Sequence, residues 1–289
     1  MEKNCFWGIP RHSTHCVECR TWDTGLRTRE ITMNRPKPKT QDLRPVILLG
    51  LTTTPCSDWR GKIKEIDELN IQEIALFPTY LKSNDRQELY RLLENSKLKS
   101  IPHVHLRDDM SKNEVDYLTK RFKTKLFNIH PNKEAYASIS TFVEYKDNIF
   151  LENLNLHSLH EIENNIEKVG GLCVDYSHWH NRILKNEKNY DSLIRKLIDN
   201  YKIGCCHISS IYQEPKEFDW CNETEPHYSG HYMYELYDLD YMKKYLDFLP
   251  EIISLELENS FKEQLEAKEY LEKLIVNSKK NTKLHLMYN

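Results

Sequence analysis

The sequence predicts an α/β fold, a (β/α)8 TIM barrel over residues 46–289 that follows a short irregular N-terminal extension over residues 1–45. Short apolar, β-rich runs alternate eight times with segments of helical periodicity, over about 235 residues. Helices between such runs indicate parallel strands joined by crossover connections. The alternative, an open doubly wound sheet, usually has fewer units and a glycine-rich first loop. This chain has no GxGxxG after its first strand and contains only eight glycines, so we predict the closed barrel.

Each predicted strand is followed by one predicted helix. The predicted strands are, in chain order, VILLGLTT (46–53), EIALFPTYL (73–81), SIPHVHLR (100–107), KLFNIHP (125–131), NIFLENLN (148–155), GLCVDYSH (171–178), IGCCHISS (203–210) and EIISLELEN (251–259). The predicted helices are WRGKIKEIDELN (59–70), DRQELYRLLENS (85–96), KNEVDYLTKRFK (112–123), EAYASISTFVEYK (134–146), SLHEIENNIEKVG (158–170), YDSLIRKLIDNY (190–201), YDLDYMKKYLDFLP (237–250) and FKEQLEAKEYLEKLIVN (261–277). In such a barrel all strands end at one rim, and enzymes with this fold carry their active sites there.

The first 45 residues form a separate segment. They have no periodic apolar pattern and end in NRPKPKTQDLRP, a linker rich in proline and lysine. Cys16 and Cys19 have the spacing of half a zinc site, to which His12 or His15 would add ligands, but the second half-site is missing at the usual distance. We therefore keep two alternatives for this segment, a zinc knuckle and an irregular extension.

The composition is that of a globular protein, with 39% hydrophobic and 29% charged residues. No apolar run reaches about 18 residues, so we predict no membrane span. The N-terminus lacks the apolar stretch of a secretory signal, so we expect a cytoplasmic protein whose eight cysteines are reduced thiols.

The net charge of −3 is unevenly distributed. Residues 1–45 carry nine basic and five acidic side chains, while the rest of the chain carries 32 basic and 39 acidic ones. A protein that binds nucleic acid usually shows a basic surface. The net negative charge of residues 46–289 counts against a nucleic-acid partner, although it does not exclude a local basic groove.

Six consecutive predicted strands end in polar side chains that share one face with apolar residues, because side chains alternate along a strand. These sets are Ile101, His103 and His105; Leu126, Asn128 and His130; Phe150 and Glu152; Cys173 and Asp175; Ile203, Cys205 and His207; and Ile252, Ser254, Glu256 and Glu258. Burying so many polar groups at one rim is costly unless they are paired or bind a metal. Carboxylates and imidazoles without clustered thiolates favour Mn²⁺, Mg²⁺, Zn²⁺ or Fe²⁺. The pattern therefore predicts a site for divalent metal but does not fix the number of ions.

Each of these residues also has a structural interpretation. Asp175 with His178 fits a helix N-cap. His103 lies deeper than His105, which favours a structural role, and His180 is expected either to line a substrate pocket or to be exposed. The residues that we assign to core packing are Cys205 and Cys206, and those that we assign to the surface are His157, His160 and His231.

The segment IYQEPKEFDWCNETEPHYSGHYMYE (211–235) is unusually long for a loop. Its aromatic residues are Tyr212, Phe218, Trp220 and Tyr228, among others. We expect them either to cover the mouth of the barrel or to form a contact in an oligomer.

The strand ends resemble those of the xylose-isomerase-like TIM barrels, which include sugar and sugar-phosphate isomerases and epimerases and the endonuclease IV family. His130, Glu152, the DYSH sequence (175–178), His207 and the glutamate of the last strand carry this resemblance. It covers about residues 46–277 in architecture, and its motifs are short.

The epimerase branch implies one divalent metal ion, often Mn²⁺, held by Glu152, Asp175, His207 and Glu256. Glu258 is the alternative ligand on the last strand. In that branch Glu152 and Glu256 are also the catalytic pair that moves a proton beside a carbonyl, with a small sugar or sugar phosphate as substrate. Substrate contacts are then expected from His103, His105, His178, His180 and Trp220.

The nuclease branch implies three zinc ions and a larger set of ligands. That set is His105, His130, Glu152, Asp175, His178, His207, Glu225, His227 and Glu256, in the order that the family requires. Glu225 with His227 stands where those nucleases have D-x-H, and ISS after His207 replaces their Asn-Asp pair. These departures, and the acidic body, lead us to expect an isomerase or epimerase first, a multinuclear zinc phosphoester hydrolase second and a non-catalytic binding protein third.

Overall fold

The structure is a computed structural model that describes residues 45–55, 57–216 and 227–287, with side chains to residue 278. The chain divides into two units, Met1–Gln41 and Asp42–Asn289. The first unit lies outside the described residues, and so does the zinc knuckle predicted at Cys16 and Cys19. Within the described ranges, no helix combines the length and the apolar character needed to cross a membrane.

The predicted (β/α)8 barrel is confirmed. Eight parallel strands close on themselves in the order β1-β10-β7-β6-β5-β4-β3-β2. The barrel strands are β1 (Val46–Thr52), β2 (Glu73–Phe77), β3 (Ser100–His105), β4 (Leu126–Ile129), β5 (Ile149–Glu152), β6 (Gly171–Asp175), β7 (Ile203–Ile208) and β10 (Ile252–Leu255).

Helices follow most of these strands. They are α1 (Trp59–Glu68), α2 (Ser83–Glu94), α3 (Lys112–Phe122), α4 (Lys133–Thr141), α5 (Leu156–Asn165), α6 (Tyr176–Leu184), α7 (Tyr190–Asn200) and α8 (Phe261–Met287). Short 3₁₀ segments cover Val143–Asn148, Ile166–Lys168, Leu236–Lys244 and Leu246–Phe248. Two differences from the prediction stand out: α6 begins directly at the end of β6, and the helix predicted over 237–250 is 3₁₀ helix.

The segment predicted as a long loop contains an antiparallel pair, β8 (Ser210–Lys216) and β9 (His227–Gly230). Tyr212 at its start donates a hydrogen bond from its hydroxyl to the Tyr232 carbonyl at 2.7 Å. This pair places His227 beside α6, with which β9 is in contact.

Side chains alternate between the barrel interior and the shell of helices, as the predicted period of two requires. The interior holds two small apolar clusters, which contain Leu48, Ala75, Phe77, Leu126, Phe150, Cys173, Cys205 and Ile252. The larger core lies between strands and helices and includes Cys206 and Ile208 of β7. Cys206 therefore packs in the core, as predicted, while Cys205 belongs to the barrel interior.

A buried glutamine ties the first strand to the last. A Cβ at Gly50 would lie 1.7 Å from the Leu255 carbonyl oxygen, so only glycine allows this approach of β1 to β10. Gln264 of α8 accepts a hydrogen bond from the Gly50 amide at 2.7 Å and donates to the carbonyls of Gly50, Leu257 and Asn259 at 3.0, 3.1 and 2.9 Å. The side chain thus satisfies backbone groups at the point where the barrel closes.

Replacing Gln264 by leucine is expected to lower the free energy of unfolding by about 3 kcal/mol, because each buried group left without a partner costs about 1–3 kcal/mol. Urea denaturation of the variant and the parent measures this difference. Gln72→Leu is the control, since the Gln72 side chain donates only to Asn70 among the described contacts. Equal losses in both variants would contradict the role given to Gln264.

Candidate metal centre

Four side chains from neighbouring strand ends meet at the rim of the barrel. Glu152 ends β5, Asp175 ends β6, His207 lies near the end of β7 and Glu256 follows β10. All four are buried, and each offers a donor atom within 4.8 Å of the others. The parallel register explains this, because it pairs Asp175 with His207 and His207 with the residue two before Glu256. We call these residues the four-residue cluster.

His207 lies at the centre of the four-residue cluster. Its Nδ1 is 3.3 Å from Glu256 Oε2, 3.5 Å from Glu152 Oε2 and 3.9 Å from Asp175 Oδ2. Among the described residues, neither ring nitrogen of His207 has a hydrogen-bond partner, nor does Asp175 Oδ2. Buried polar atoms of native proteins are nearly always satisfied. Donors that converge here without partners therefore fit a divalent cation, and the carboxylate–imidazole set suits Mn²⁺, Zn²⁺, Mg²⁺ or Fe²⁺.

Glu152 also belongs to a second group of donors, with His105 and His130. Its Oε2 is 3.1 Å from His105 Nε2, and its Oε1 is 3.6 Å from His130 Nε2. His105 Nδ1 lies 2.8 Å from the Leu106 carbonyl, which only a protonated Nδ1 can satisfy. In the neutral ring the Nε2 lone pair then faces a carboxylate, an arrangement that a cation stabilises. We call His105, His130 and Glu152 the histidine pair site.

The shared carboxylate of Glu152 is held ionised. Burial raises its pKa, but the charges of His207, His130 and His105 outweigh burial and hold the pKa well below its ordinary value. Asn128, also fully buried, donates a hydrogen bond from Nδ2 to Oε2 and fixes its orientation. Glu152 is therefore an anionic, oriented donor at physiological pH.

His207 offsets only part of the negative charge of the three carboxylates in the four-residue cluster. Burial raises the pKa of Glu256, but His231 and His207 lower it to about 2. Burial alone would lower the pKa of His207, yet Glu152 and Glu256 raise it well above its ordinary value. Without metal His207 thus holds a proton, which a cation must displace in order to bind.

Asp175 is both a helix cap and a member of the four-residue cluster. Its Oδ1 accepts hydrogen bonds from Ser177 Oγ at 2.6 Å and from the His178 amide at 2.8 Å, which caps α6. Its Oδ2 faces His207 and lies 3.8 Å from His178 Nε2. The capping and the metal-binding interpretations of the sequence are therefore compatible.

His227, at the start of β9, is buried and lines the same cavity as His178. Its Nδ1 lies 3.4 Å from Asn181 Nδ2, and Asn181 Oδ1 accepts a hydrogen bond from the Tyr228 amide at 3.1 Å. Asn181 thus fixes β9 against α6. Two further predicted site residues, Glu225 and Trp220, lie outside the described residues.

The donors open into a cavity of about 300 Å³. The residues that line it are Thr79, Tyr80, His130, Glu152, Leu154, Asn155, Ser177, His178, Arg182, Ser209, His227, Ser229, Gly230, His231 and Glu256. His231 corrects the sequence prediction that placed it on the surface, because its Nδ1 lies 3.1 Å from the Glu256 carbonyl and its side chain faces the cavity. Arg182 was not recognised from the sequence, since α6 was not predicted.

Two histidines predicted to touch substrate lie elsewhere. His103 is fully buried, with Nδ1 2.7 Å from Ser254 Oγ. His180 is buried with Nδ1 2.8 Å from the Tyr245 hydroxyl, and burial lowers its pKa to about 4. Neither is among the described residues that line the cavity, so their positions give no support to a role in substrate binding.

The structure distinguishes the two glutamates of the last strand. Glu258 Oε1 accepts a hydrogen bond from the Thr54 amide at 3.0 Å, and its Oε2 lies 3.6 Å from Lys62 Nζ. Glu256, in contrast, belongs to the four-residue cluster. Glu258 therefore has a structural contact with the segment after β1.

No family model matches the sequence, and no curated protein matches it. Among solved structures, the chain is similar to the probable 3-DHS dehydratase AsbF of Bacillus anthracis, involved in petrobactin synthesis, with 13% identity, a TM-score of 0.42 and coverage of 80% of this chain and 97% of that one. A protein from Parabacteroides distasonis matches with 13% identity, a TM-score of 0.43 and coverage of 78% and 98%. A family 2 AP endonuclease from Brucella melitensis matches with 14% identity, a TM-score of 0.39 and coverage of 74% and 93%.

These similarities are too low to carry an argument about function, so the assignment rests on the chain's own structure. Its closed topology makes the described chain a (β/α)8 TIM barrel, in which donor atoms at the strand ends lie within 4.8 Å of one another.

Proposed function

We propose that this protein is a metal-dependent phosphoester hydrolase that holds at least two divalent ions. The observation that supports this most is the position of Glu152, which belongs both to the four-residue cluster and to the histidine pair site. A carboxylate offers two oxygens and can bridge two ions. An isomerase with one ion needs no second donor group at this place.

Two adjacent divalent ions, when bound, would supply an activated water at neutral pH and would stabilise negative charge that develops on phosphoester oxygens. The four-residue cluster would hold one ion, through three carboxylates and His207. The histidine pair site would hold the other, with Glu152 in common. His178 and His227 extend the donor set into the cavity, which agrees with the larger set of ligands that the nuclease branch implies.

The cavity wall offers further groups for a phosphoester. Arg182 donates from Nε to the Leu154 carbonyl at 3.0 Å, which orients its guanidinium at the wall. Ser209 also lines the cavity, and its hydroxyl, which makes no hydrogen bond among the described residues, can donate one to a phosphate oxygen. A volume of about 300 Å³ suits one nucleotide-sized or sugar-phosphate-sized group.

An isomerase or epimerase acting on a sugar or sugar phosphate is the second candidate. Glu152 and Glu256 both line the cavity, and the pKa of each is lowered, so both carboxylates are ionised. Proton transfer beside a carbonyl would use them with a single ion. The number of bound ions separates the two candidates.

Elemental analysis of the purified full chain is expected to show at least two divalent ions per molecule. The protein should hydrolyse bis-p-nitrophenyl phosphate, lose this activity on treatment with a chelator and regain it with Zn²⁺ or Mn²⁺. One ion per chain, with solvent deuterium entering a sugar beside its carbonyl, would favour the second candidate instead. Absence of bound metal and of activation by metal would contradict both.

A further inference from the structure

A third group of donors lies in the interior of the barrel and shares only His207 with the two proposed ion sites. His103 of β3, Cys173 of β6 and His207 of β7 each offer a donor atom within 4.8 Å of the others. All three side chains are fully buried. Their position follows from strand alternation, because Cys173 lies two residues before Asp175 and so points to the same side of β6.

Each of the two histidines has one ring nitrogen, Nε2, that is available to bind an ion. His103 Nδ1 lies 2.7 Å from Ser254 Oγ, which leaves its Nε2 as the second nitrogen. In the same way, Nδ1 of His207 faces the carboxylates, which leaves Nε2. Within the described part of the chain, both Nε2 atoms are buried and make no hydrogen bond. Two buried nitrogens without partners in one place are costly unless something binds them.

We propose that His103, Cys173 and His207 form a sulfur-containing metal site, which shares His207 with the four-residue cluster. One thiolate and two imidazoles select Zn²⁺ or another thiophilic ion and disfavour Mg²⁺ and Mn²⁺. The three donor atoms lie within 4.8 Å of one another. Binding a zinc ion at ligand distances of about 2.0–2.3 Å would require them to move closer together.

His207 would then bind two ions as an imidazolate, which requires that both of its ring protons be displaced when the ions bind. Its Nδ1 would bind the ion of the four-residue cluster, and its Nε2 would bind the ion of the sulfur-containing site. This arrangement also accounts for the position of His103, which lies too deep to line the cavity. The ion in the interior would fix the His207 ring and orient it towards the carboxylates, a role usually played by a hydrogen bond to the second ring nitrogen.

The chain offers a matched control for the thiol. Cys206 follows Cys205 in β7 and is fully buried, but it packs in the core between strands and helices. Replacing Cys173 by serine removes the proposed donor with a change of one atom. Replacing Cys206 by serine makes the same change on the opposite side of the sheet.

The test is titration of the metal-free full chain with Co²⁺, followed by absorption spectroscopy. The parent protein and Cys206→Ser should both show a near-ultraviolet thiolate-to-cobalt band, and Cys173→Ser should lose it. Visible absorption of Co²⁺ bound at the four-residue cluster and at the histidine pair site should remain in all three proteins. His103→Gln leaves every cysteine in place and should raise the Co²⁺ concentration at half-saturation of the band by about tenfold or more.

A parent protein without the thiolate band, or a band that is unchanged in both Cys173→Ser and His103→Gln, would overturn the proposed site. Far-ultraviolet circular dichroism checks that each variant is folded. If Cys173→Ser does not fold, the result for His103→Gln tests the proposed site. The result is independent of hydrolysis, since the band can be present in a protein that cleaves no phosphoester.

Discussion

Replacing Glu152 by glutamine is expected to reduce kcat for phosphoester hydrolysis by about a thousandfold or more while the barrel remains folded. The carboxylate is the donor that both proposed ions share, so its loss weakens both sites at once. A loss of about 4 kcal/mol of transition-state stabilisation corresponds to this factor. Glutamine has the same shape, and its carbonyl oxygen can still accept the hydrogen bond from Asn128. Steady-state kinetics and elemental analysis of the variant measure both effects.

Glu258→Gln is the matched control, because it makes the same chemical change two residues beyond Glu256. Glu258 contacts Thr54 and Lys62 rather than the four-residue cluster. The control variant should keep its bound metal and its activity and should lose some thermal stability, since Lys62 is buried. Full activity in Glu152→Gln would refute the shared-ligand assignment, and loss of metal in Glu258→Gln would show that the last strand uses the other glutamate.

Replacing Arg86 by methionine is expected to lower the free energy of unfolding by about 3–5 kcal/mol, the usual cost of removing one partner from a buried ion pair. Arg86 of α2 is fully buried and donates from Nε and Nη2 to the two oxygens of Glu114 in α3 at 2.6 and 3.0 Å. Its Nη1 donates to Asp109 at 3.1 Å and to the Leu81 carbonyl at 2.9 Å. The methionine variant leaves the Glu114 carboxylate buried, with the Tyr90 hydroxyl as its one remaining described hydrogen-bond partner.

Arg60→Met provides the comparison for Arg86→Met. Arg60 also binds a glutamate through two hydrogen bonds, to Glu88 at 2.9 and 2.6 Å, but both partners are exposed. An exposed pair contributes about 1 kcal/mol or less. Urea denaturation of both variants should therefore show how much of the loss in free energy of unfolding comes from burial and how much from hydrogen-bond geometry. Similar losses would show that burial does not determine the contribution of Arg86.

The sequence was sufficient to predict the barrel and much of the rim. Alternation with a period of two placed Glu152, Asp175, His207 and Glu256 on one face of their strands, and the closed topology then required their ends to meet. Both steps depend on local geometry, which side-chain patterns report directly. The choice between Glu256 and Glu258 needed the structure, because both have the same parity.

Other parts of the site depend on tertiary contacts that no local pattern reports. Helix α6 begins at the last residue of β6, so its first turn was read as the end of a strand. The β8–β9 pair is short, and its sequence combines charged and aromatic residues without clear alternation. His231 reaches the cavity through a turn after β9, and such a position cannot be read from periodicity.

The sharing of Glu152 between two donor groups has a consequence for how the enzyme would respond to scarce metal. One carboxylate cannot neutralise two dications fully, and ions held a few ångströms apart repel each other. The second ion would therefore bind more weakly than the first, and chains with a single ion would accumulate at low metal concentration. Since the proposed hydrolysis needs both ions, activity would rise sigmoidally with free metal, and the cellular supply of the ion would act as a threshold for turnover.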